Sequence, residues 1–362
     1  MTVSYLGAVT DTFAVDAALG DFFAERRAEA ETLGPDVASM VAELESCVLS
    51  GGKRVRPVFA WLGWIGAGGD PDGPAAAAVV RACAGLELLH ASALIHDDII
   101  DASRTRRGRP AAHVAFAEQH RSRRFLGDPD AFGTGTALLA GDLAQTWADA
   151  VIRASGLPAD TQTRIGPVWS AVRSEVLYGQ LLDLVNQASG AEDIASALRV
   201  NQYKTASYTV QRPLQFGAAI ADANAELDAA YRAFGADIGI AFQLRDDLLG
   251  VFGDPVVTGK PSGDDLREGK RTVLLATALE RADERDPHAA GFLRATIGTD
   301  LSDDELATAR RVLAEVGAVA HVERQISLRT DRALAVLEAS EATESAKVQL
   351  AAMAIKATQR SR

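Results

Sequence analysis

Apolar residues recur at three- and four-residue intervals along most of the chain, and alternating β-branched runs bounded by turn pairs are nearly absent, so the pattern predicts α-helix almost throughout. The spacing places helices at about 36–49, 57–67, 75–102, 111–120, 134–155, 161–188, 193–211, 213–221, 226–252, 271–284, 303–316 and 318–338, with a last one near 341–358. Turn signals separate them at Gly51-Gly52, Gly68-Gly69-Asp70-Pro71, Gly127-Asp128-Pro129, Gly156-Leu157-Pro158, Gly253-Asp254-Pro255 and Gly259-Lys260-Pro261. No Ser/Pro-rich linker, fixed-period repeat or low-complexity tract breaks the series. The expected fold is all-α: one helical domain over residues 31–362, preceded by an N-terminal arm over residues 1–30.

Composition and charge narrow the function classes. The 362 residues carry 37 Lys and Arg against 49 Asp and Glu, a net charge of −12, and such a field repels nucleic-acid backbones. Any phosphate chemistry must then use local basic clusters. Cys47 and Cys83 form no CxxC arrangement, so neither a disulfide framework nor a zinc site is indicated. The first 25 residues hold Asp11, Asp16 and Asp21 but no Lys or Arg, the opposite of a secretory leader, which points to the cytoplasm. The longest uncharged run, Pro57–Gly69, falls short of the roughly 18 residues a membrane span needs, so no transmembrane segment is expected.

Two acidic clusters end apolar helices. Asp97-Asp98-Ile99-Ile100-Asp101 follows the nearly uncharged stretch Leu88–His96, and its spacing puts Asp97 and Asp101 on one face, about one turn apart. Asp246-Asp247 follows Ile238–Leu244 in the same way. Carboxylates crowded at the mouth of an apolar core need a counter-charge. If the two helices pack side by side, the clusters face each other across a central cavity as an all-oxygen cage, which suits Mg²⁺ and leaves coordination positions for phosphate oxygens. His90 and His96 fit a phosphate contact or a core hydrogen bond better than ligation.

Three basic clusters oppose the global charge. Gly51-Gly52-Lys53-Arg54-Val55-Arg56-Pro57 sets flexible backbone before cations and a Pro at a helix start, an arrangement that can hold an anion but lacks the P-loop pattern. Arg104-Thr105-Arg106-Arg107-Gly108-Arg109 follows the first acids, with forked guanidiniums suited to phosphate. Lys204-Thr205, Lys260 and Lys270 make up the third group. Cations beside acids that bind metal describe a clamp for a diphosphate.

With these residues in place the chain resembles the trans-isoprenyl (polyprenyl) diphosphate synthases from about Gly51 to Lys270, through Gly51–Pro57, Leu88–Asp101, Thr105–Gly108, Gly141-Asp142, Gly179–Asp183, Lys204–Ala206 and Phe242–Asp247 in one order. The resemblance implies an isoprenoid-synthase helical bundle and a homodimer. It implies that Asp97 and Asp101 bind two Mg²⁺ and Asp246 a third, with Asp98 and Asp247 acting through water. Arg106, Lys204, Lys260 and Lys270 would hold an allylic diphosphate, while Lys53, Arg56, His90 and Arg107 would hold isopentenyl diphosphate. Thr205 and Gln243, with Gln180, would turn their dipoles toward a developing allylic cation. One departure stands out: the family's second cluster commonly reads Asp-Asp-x-x-Asp, and here Gly250 occupies the last place.

Helical geometry extends this to the product. Counting back from Asp97 by turns gives Ala93, then Leu89 beside His90, then Leu86, each about 5.4 Å deeper, so a growing apolar tail would run down this helix. Ser92 and Ala93 are small where a farnesyl-producing relative usually carries an aromatic, which predicts the C20 product, geranylgeranyl diphosphate; longer chains or the C15 product are the rivals. More distant alternatives are a terpene cyclase, which needs one diphosphate site, and a non-catalytic helical subunit of a synthase.

Overall fold

A computed structural model describes residues 6–254 and 263–359. The helices are α1 (Leu6–Leu33), α2 (Pro35–Leu49), α3 (Val55–Gly66), α4 (Ala76–Ile100), α5 (Ala112–Arg123), α6 (Pro129–Arg153), α7 (Ala159–Ser189), α8 (Ile194–Val200), a π-helix over Asn201–Gln211, α9 (Arg212–Ile220) and α10 (Ala225–Phe252). Beyond these lie helices Asp264–Arg267, Val273–Arg285, Pro287–Thr296, Asp303–Glu315, Ala318–Ala339 and Glu344–Thr358. The all-α expectation holds; the one sheet among the described residues is a hairpin of β1 (Thr105–Arg106) and β2 (Arg109–Pro110). Helix starts carry the expected local chemistry. Ser302 accepts from the Glu305 amide while Glu305 accepts from the Ser302 amide, a reciprocal box that satisfies two otherwise orphaned donors.

The chain divides into two compact units. Unit 1 comprises Met1–Ser170, Pro213–Leu227 and Glu341–Gln349; unit 2 comprises Ala171–Arg212, Asp228–Ser340 and Leu350–Arg362. The stretch to residue 30, expected as an arm, carries most of α1, whose Val15, Leu19 and Phe23 are buried at four-residue spacing within unit 1. Phe22 and Phe23 set their rings edge-on to Trp147 of α6, with centroids 5.5 and 6.1 Å away. Backbones of α3 and α9 nearly touch: a Cβ on Gly63 would lie 2.3 Å from the Leu214 carbonyl oxygen, and one on Gly217 1.8 Å from that of Ala60. Helix α4 is long and apolar enough to cross a membrane, but 72% of its apolar window is buried inside the protein, which makes it a core helix.

Unit 2 is built around a helix irregularity. The run 193–211 expected as one helix is α8 followed by the π-helix, whose i→i+5 bonding gives a wider coil than the α form. Glycines admit it. A Cβ on Gly179 of α7 would lie 2.2 Å from the Lys204 amide nitrogen, and those on Gly235 and Gly239 of α10 would lie 2.4 and 2.3 Å from the Cα atoms of Gln211 and Ala206. Glu175 of α7 accepts from Arg212 Nε at 2.9 Å and also from Ser207, tying the end of the wide coil to the same helix. The remaining core of this unit is aliphatic, with Leu244, Leu248, Leu274, Leu293 and Leu313 buried together.

Candidate active site

In unit 1 the first acidic group stands where α4 ends. Asp101 caps the helix, its amide donating to the Asp97 carbonyl at 2.8 Å, so both carboxylates rise from one face a turn apart. The hairpin then folds back over them. Arg107 (φ 53°) and Gly108 (φ 73°) form its two-residue loop with both φ positive, the geometry that suits the twist of flanking strands and favours Gly in the second place. That turn sends adjacent guanidiniums to different targets. Arg106 Nε donates to Asp98 Oδ1 at 2.9 Å and Nη2 reaches Asp97 Oδ2 at 3.4 Å, whereas Arg107 Nη1 donates to the Gly51 carbonyl at 2.5 Å. Burial pushes the Asp98 carboxyl up; the Arg106 hydrogen bonds and charge act against it. A small cavity of about 40 Å³ beside Asp98 and Arg106 is lined by Leu94, Ile95 and Cys47, whose thiol burial pushes up to about 12, away from the reactive thiolate.

His90 of α4 lies within the electrostatic reach of four arginines. Burial, followed by the charges of Arg56, Arg107, Arg106 and Arg54, holds the His90 imidazole well below its ordinary range, so it is neutral and acts by hydrogen bonding. Lys53 and Arg56 belong to the same segment, as expected. Arg54, between them, has a separate job: only 3% exposed, it donates to Glu87 of α4 at 2.9 Å and to Asp16 of α1 at 2.7 Å. Its Nη1 and both Arg107 terminal nitrogens lie 3.3 Å from where a Cβ on Gly52 would stand, so Gly52 offers bare backbone beside two guanidiniums.

The phase of α4 separates the residues expected to set product length. Gly85 packs against Ala148 and Ile152 of α6, where a Cβ would lie 2.8 Å from Ile152 Cγ1, and His96 packs against Gly141, where a Cβ would lie 2.3 Å from the ring Nε2. Leu89 and Ser92, both 2% exposed, fall on that same α6-facing stripe between Gly85 and His96. Ala93 instead shares the Asp97 side with His90 and Leu86. Ser92 thus falls on the α6-facing side, and Ala93 on the side of Asp97 one turn before it.

In unit 2 the π-helix presents Lys204 and Thr205. Lys204 Nζ donates to Asp183 Oδ2 at 2.6 Å, one turn along α7 from the Gly179 that lets Lys204 approach. Thr205 Oγ1 donates to Gln243 Oε1 at 2.6 Å, and Gln243 Nε2 donates to Asp247 Oδ1 at 2.7 Å. The relay fixes the orientation of the Gln243 amide. Burial, against the Gln243 hydrogen bond and with help from Asp265 and Asp246, pushes the Asp247 carboxyl to about 8. Asp246 stands beside it on α10, Lys270 Nζ pairs with Glu268 at 3.0 Å, and Gln180 lies on α7 next to Gly179. Lys260 lies outside the described residues.

Among the described residues no three His, Cys, Asp or Glu side chains converge as a ready-made cage. Instead each unit offers carboxylate oxygens, one of them, Asp247 Oδ2, buried and without a hydrogen-bond partner among the described residues. That donor set fits a hard divalent cation whose remaining coordination comes from substrate oxygens and water. Sequence reasoning had not singled out Arg54, Glu87, Asp183 or Asp265 for a role.

Comparison with known proteins identifies the family. The polyprenyl synthetase family pattern matches residues 38–312. The chain is 45% identical to a geranylgeranyl pyrophosphate synthase from Corynebacterium glutamicum, solved with isoprenyl diphosphate and magnesium, at a TM-score of 0.93 over 97% of this chain and 99% of that one. It is 32% identical to a geranylfarnesyl diphosphate synthase of Aeropyrum pernix over 80% of this chain and 84% of the relative. A geranylgeranyl diphosphate synthase of Mycobacterium tuberculosis is also 32% identical, over 82% and 77%. An all-α chain that carries paired aspartates on two apolar helices, sets arginines and a lysine beside them and shares this likeness over most of its length belongs to the polyprenyl synthetase family of prenyl-transferring enzymes.

Proposed function

We propose that the protein joins isopentenyl diphosphate head-to-tail to an allylic diphosphate, with two to three Mg²⁺, and that its product is all-trans geranylgeranyl diphosphate. The observation that carries the reading is the pairing, at one end of α4, of Asp97, Asp98 and Asp101 with Arg106 and of His90 with further arginines, a cation-binding place beside an anion-binding one. A cyclase would need no second diphosphate site. Asp97, Asp101 and Asp246 would hold Mg²⁺, which would supply the positive charge that stabilises pyrophosphate as it leaves. Arg106, Lys204, Lys260 and Lys270 hold the allylic diphosphate. Thr205 and Gln243 point oxygen lone pairs toward the carbon where positive charge develops. Lys53, Arg56 and Arg107 hold isopentenyl diphosphate by charge and neutral His90 by hydrogen bonding, which positions its double bond for attack. The proton then lost passes to the departing pyrophosphate.

Ala93 supports the C20 product, since it leaves room on the Asp97 face of α4 one turn below the acids. The Aeropyrum relative, named for a longer product, favours C25 as the second reading. Incubating the pure chain with isopentenyl diphosphate, Mg²⁺ and each short allylic starter should give C20 lipid, and Ala93→Phe should shorten it to C15. Unchanged length in the variant would remove Ala93 from the tail's path.

A homodimer is part of the proposal. Leu177, Tyr178, Leu181, Leu184 and Val185 of α7 form a stripe at helical spacing and are each 45% exposed or more, a face in need of cover. Light scattering should give twice the chain mass, and Leu181→Asp should halve it; a wild-type monomer contradicts the proposal. The cytoplasm is the proposed compartment.

A further inference from the structure

A coil of 11 residues with i→i+5 bonding is rare, so something must select it over the α form. Two side-chain contacts fit the wider coil and not the narrower one. Gln202 Nε2 donates to Gln211 Oε1 at 3.2 Å, yet on an α-helix residues nine apart stand about 180° from each other round the axis. Ser207 and Arg212 are five apart, about 140° on an α-helix, and here both donate to the one carboxylate of Glu175, Arg212 Nε at 2.9 Å. The Arg212 amide also donates to the Ser207 carbonyl, which closes the last wide turn between the same two residues. The Glu175 carboxylate therefore reads the register of the coil.

Helix α7 places it to do so. Glu175, Gly179 and Asp183 recur every four residues and share one face. Gly179 admits the Lys204 backbone, and Asp183 takes Lys204 Nζ at 2.6 Å, so one stripe of α7 fastens the coil both at its end and at Lys204. Burial opposes the charge on Glu175, but the Arg212 and Ser207 hydrogen bonds outweigh it and hold the carboxyl below its usual range. Ser207 itself is 1% exposed, which shields the contact from water.

We propose that Glu175 is a positioning residue for the allylic end of the reaction: by binding Ser207 and Arg212 together it holds residues 201–211 in the wide coil, and the coil sets Lys204 and Thr205 in place. The inference rests on the roles proposed for Lys204 and Thr205. Glu175 acts through the coil and not on the substrate. Relaxation toward the α form would part Ser207 from Arg212 and rotate Lys204 and Thr205 relative to Asp183 and Gln243.

Glu175→Gln, which removes the charge, and Ser207→Ala, which removes one bond, test this without opening a large hole. Each should lower kcat about tenfold or more and raise KM for the allylic diphosphate, the scale of misplacing a contact group. KM for isopentenyl diphosphate should stay within about twofold, because Lys53, Arg56, His90 and Arg107 are untouched. In a Lys204→Met/Thr205→Val background, adding Glu175→Gln should cost no more than about twofold, since its effect passes through those two side chains. Parent-like allylic KM and kcat in both single variants, or a full additive loss in that background, overturns the proposal. Calorimetry with inorganic pyrophosphate and Mg²⁺ separates it from the reaction itself, and there Glu175→Gln should weaken binding about tenfold. If the parent binds pyrophosphate but consumes no isopentenyl diphosphate, the proposed reaction fails; weakened binding in Glu175→Gln then still supports the positioning role, and parent-like binding overturns it.

Discussion

Asp97→Ala is expected to lower kcat about 10³-fold at saturating Mg²⁺, the scale of losing one preorganised contributor to charge stabilisation in a closed site. The fold should not change. In the parent chain the contact of Asp97 with Arg106 is a marginal 3.4 Å, whereas Arg106 keeps its shorter bonds to Asp98 when Asp97 is removed. Deleting one of three crowded carboxylates also relieves like-charge repulsion with Asp101, worth about 0.2–0.5 kcal/mol for a pair one turn apart. The melting temperature should therefore stay put or rise slightly while turnover collapses, and a shift of the Mg²⁺ dependence to higher concentration in Asp101→Ala should accompany it. Near-parent turnover in Asp97→Ala, measured as pyrophosphate release, would show that these acids do not carry the ions.

What could be read in advance divides along physical lines. Charged residues that end an apolar run are conspicuous, because burial of the run fixes where the charges emerge; Asp97, Asp101 and Asp246 were legible for that reason. The hairpin cluster was legible as chemistry, but the division of labour between Arg106 and Arg107 follows from a two-residue turn with positive φ at both places, which a string of arginines does not announce. The π-helix was invisible. Its apolar spacing passes for α, and only the glycines of two flanking helices show that a wider coil is accommodated. Ser92 and Ala93 illustrate the finest limit: neighbours in sequence differ by about 100° around a helix, so which one lies under Asp97 depended on where α6 packs. Asp183 lay within a matching motif, but its ion pair with Lys204 shows only once folding brings α7 and the π-helix together.

Arg54 was the least distinguishable of all, one cation among three, yet it carries the largest expected effect on stability. Its guanidinium is 3% exposed and its partner Glu87 4%, so the charges are compensated by each other and by Asp16. Glu87→Ala leaves the buried cation with Asp16 alone, and breaking such a buried pair costs up to about 3–5 kcal/mol, a large share of the ~5–15 kcal/mol that holds a typical domain together. Urea unfolding should register that loss, with a smaller one in Glu87→Gln, which still accepts a hydrogen bond. The functional consequence separates from the structural one. Replacing both partners by apolar residues of similar volume, Arg54→Met with Glu87→Leu, removes the stranded charge and should recover most of the stability. It also removes one of the positive charges that, after burial itself, hold His90 below its ordinary pKa, so the imidazole should titrate nearer to neutral pH. On the proposed assignment the double variant then folds well but binds isopentenyl diphosphate with a raised KM at pH 8, partly repaired at lower pH where His90 takes up a proton and replaces the missing charge. A stable double variant with unchanged KM and an unmoved His90 signal by NMR would confine Arg54 to holding α1 against α4 and detach it from the substrate end of the site.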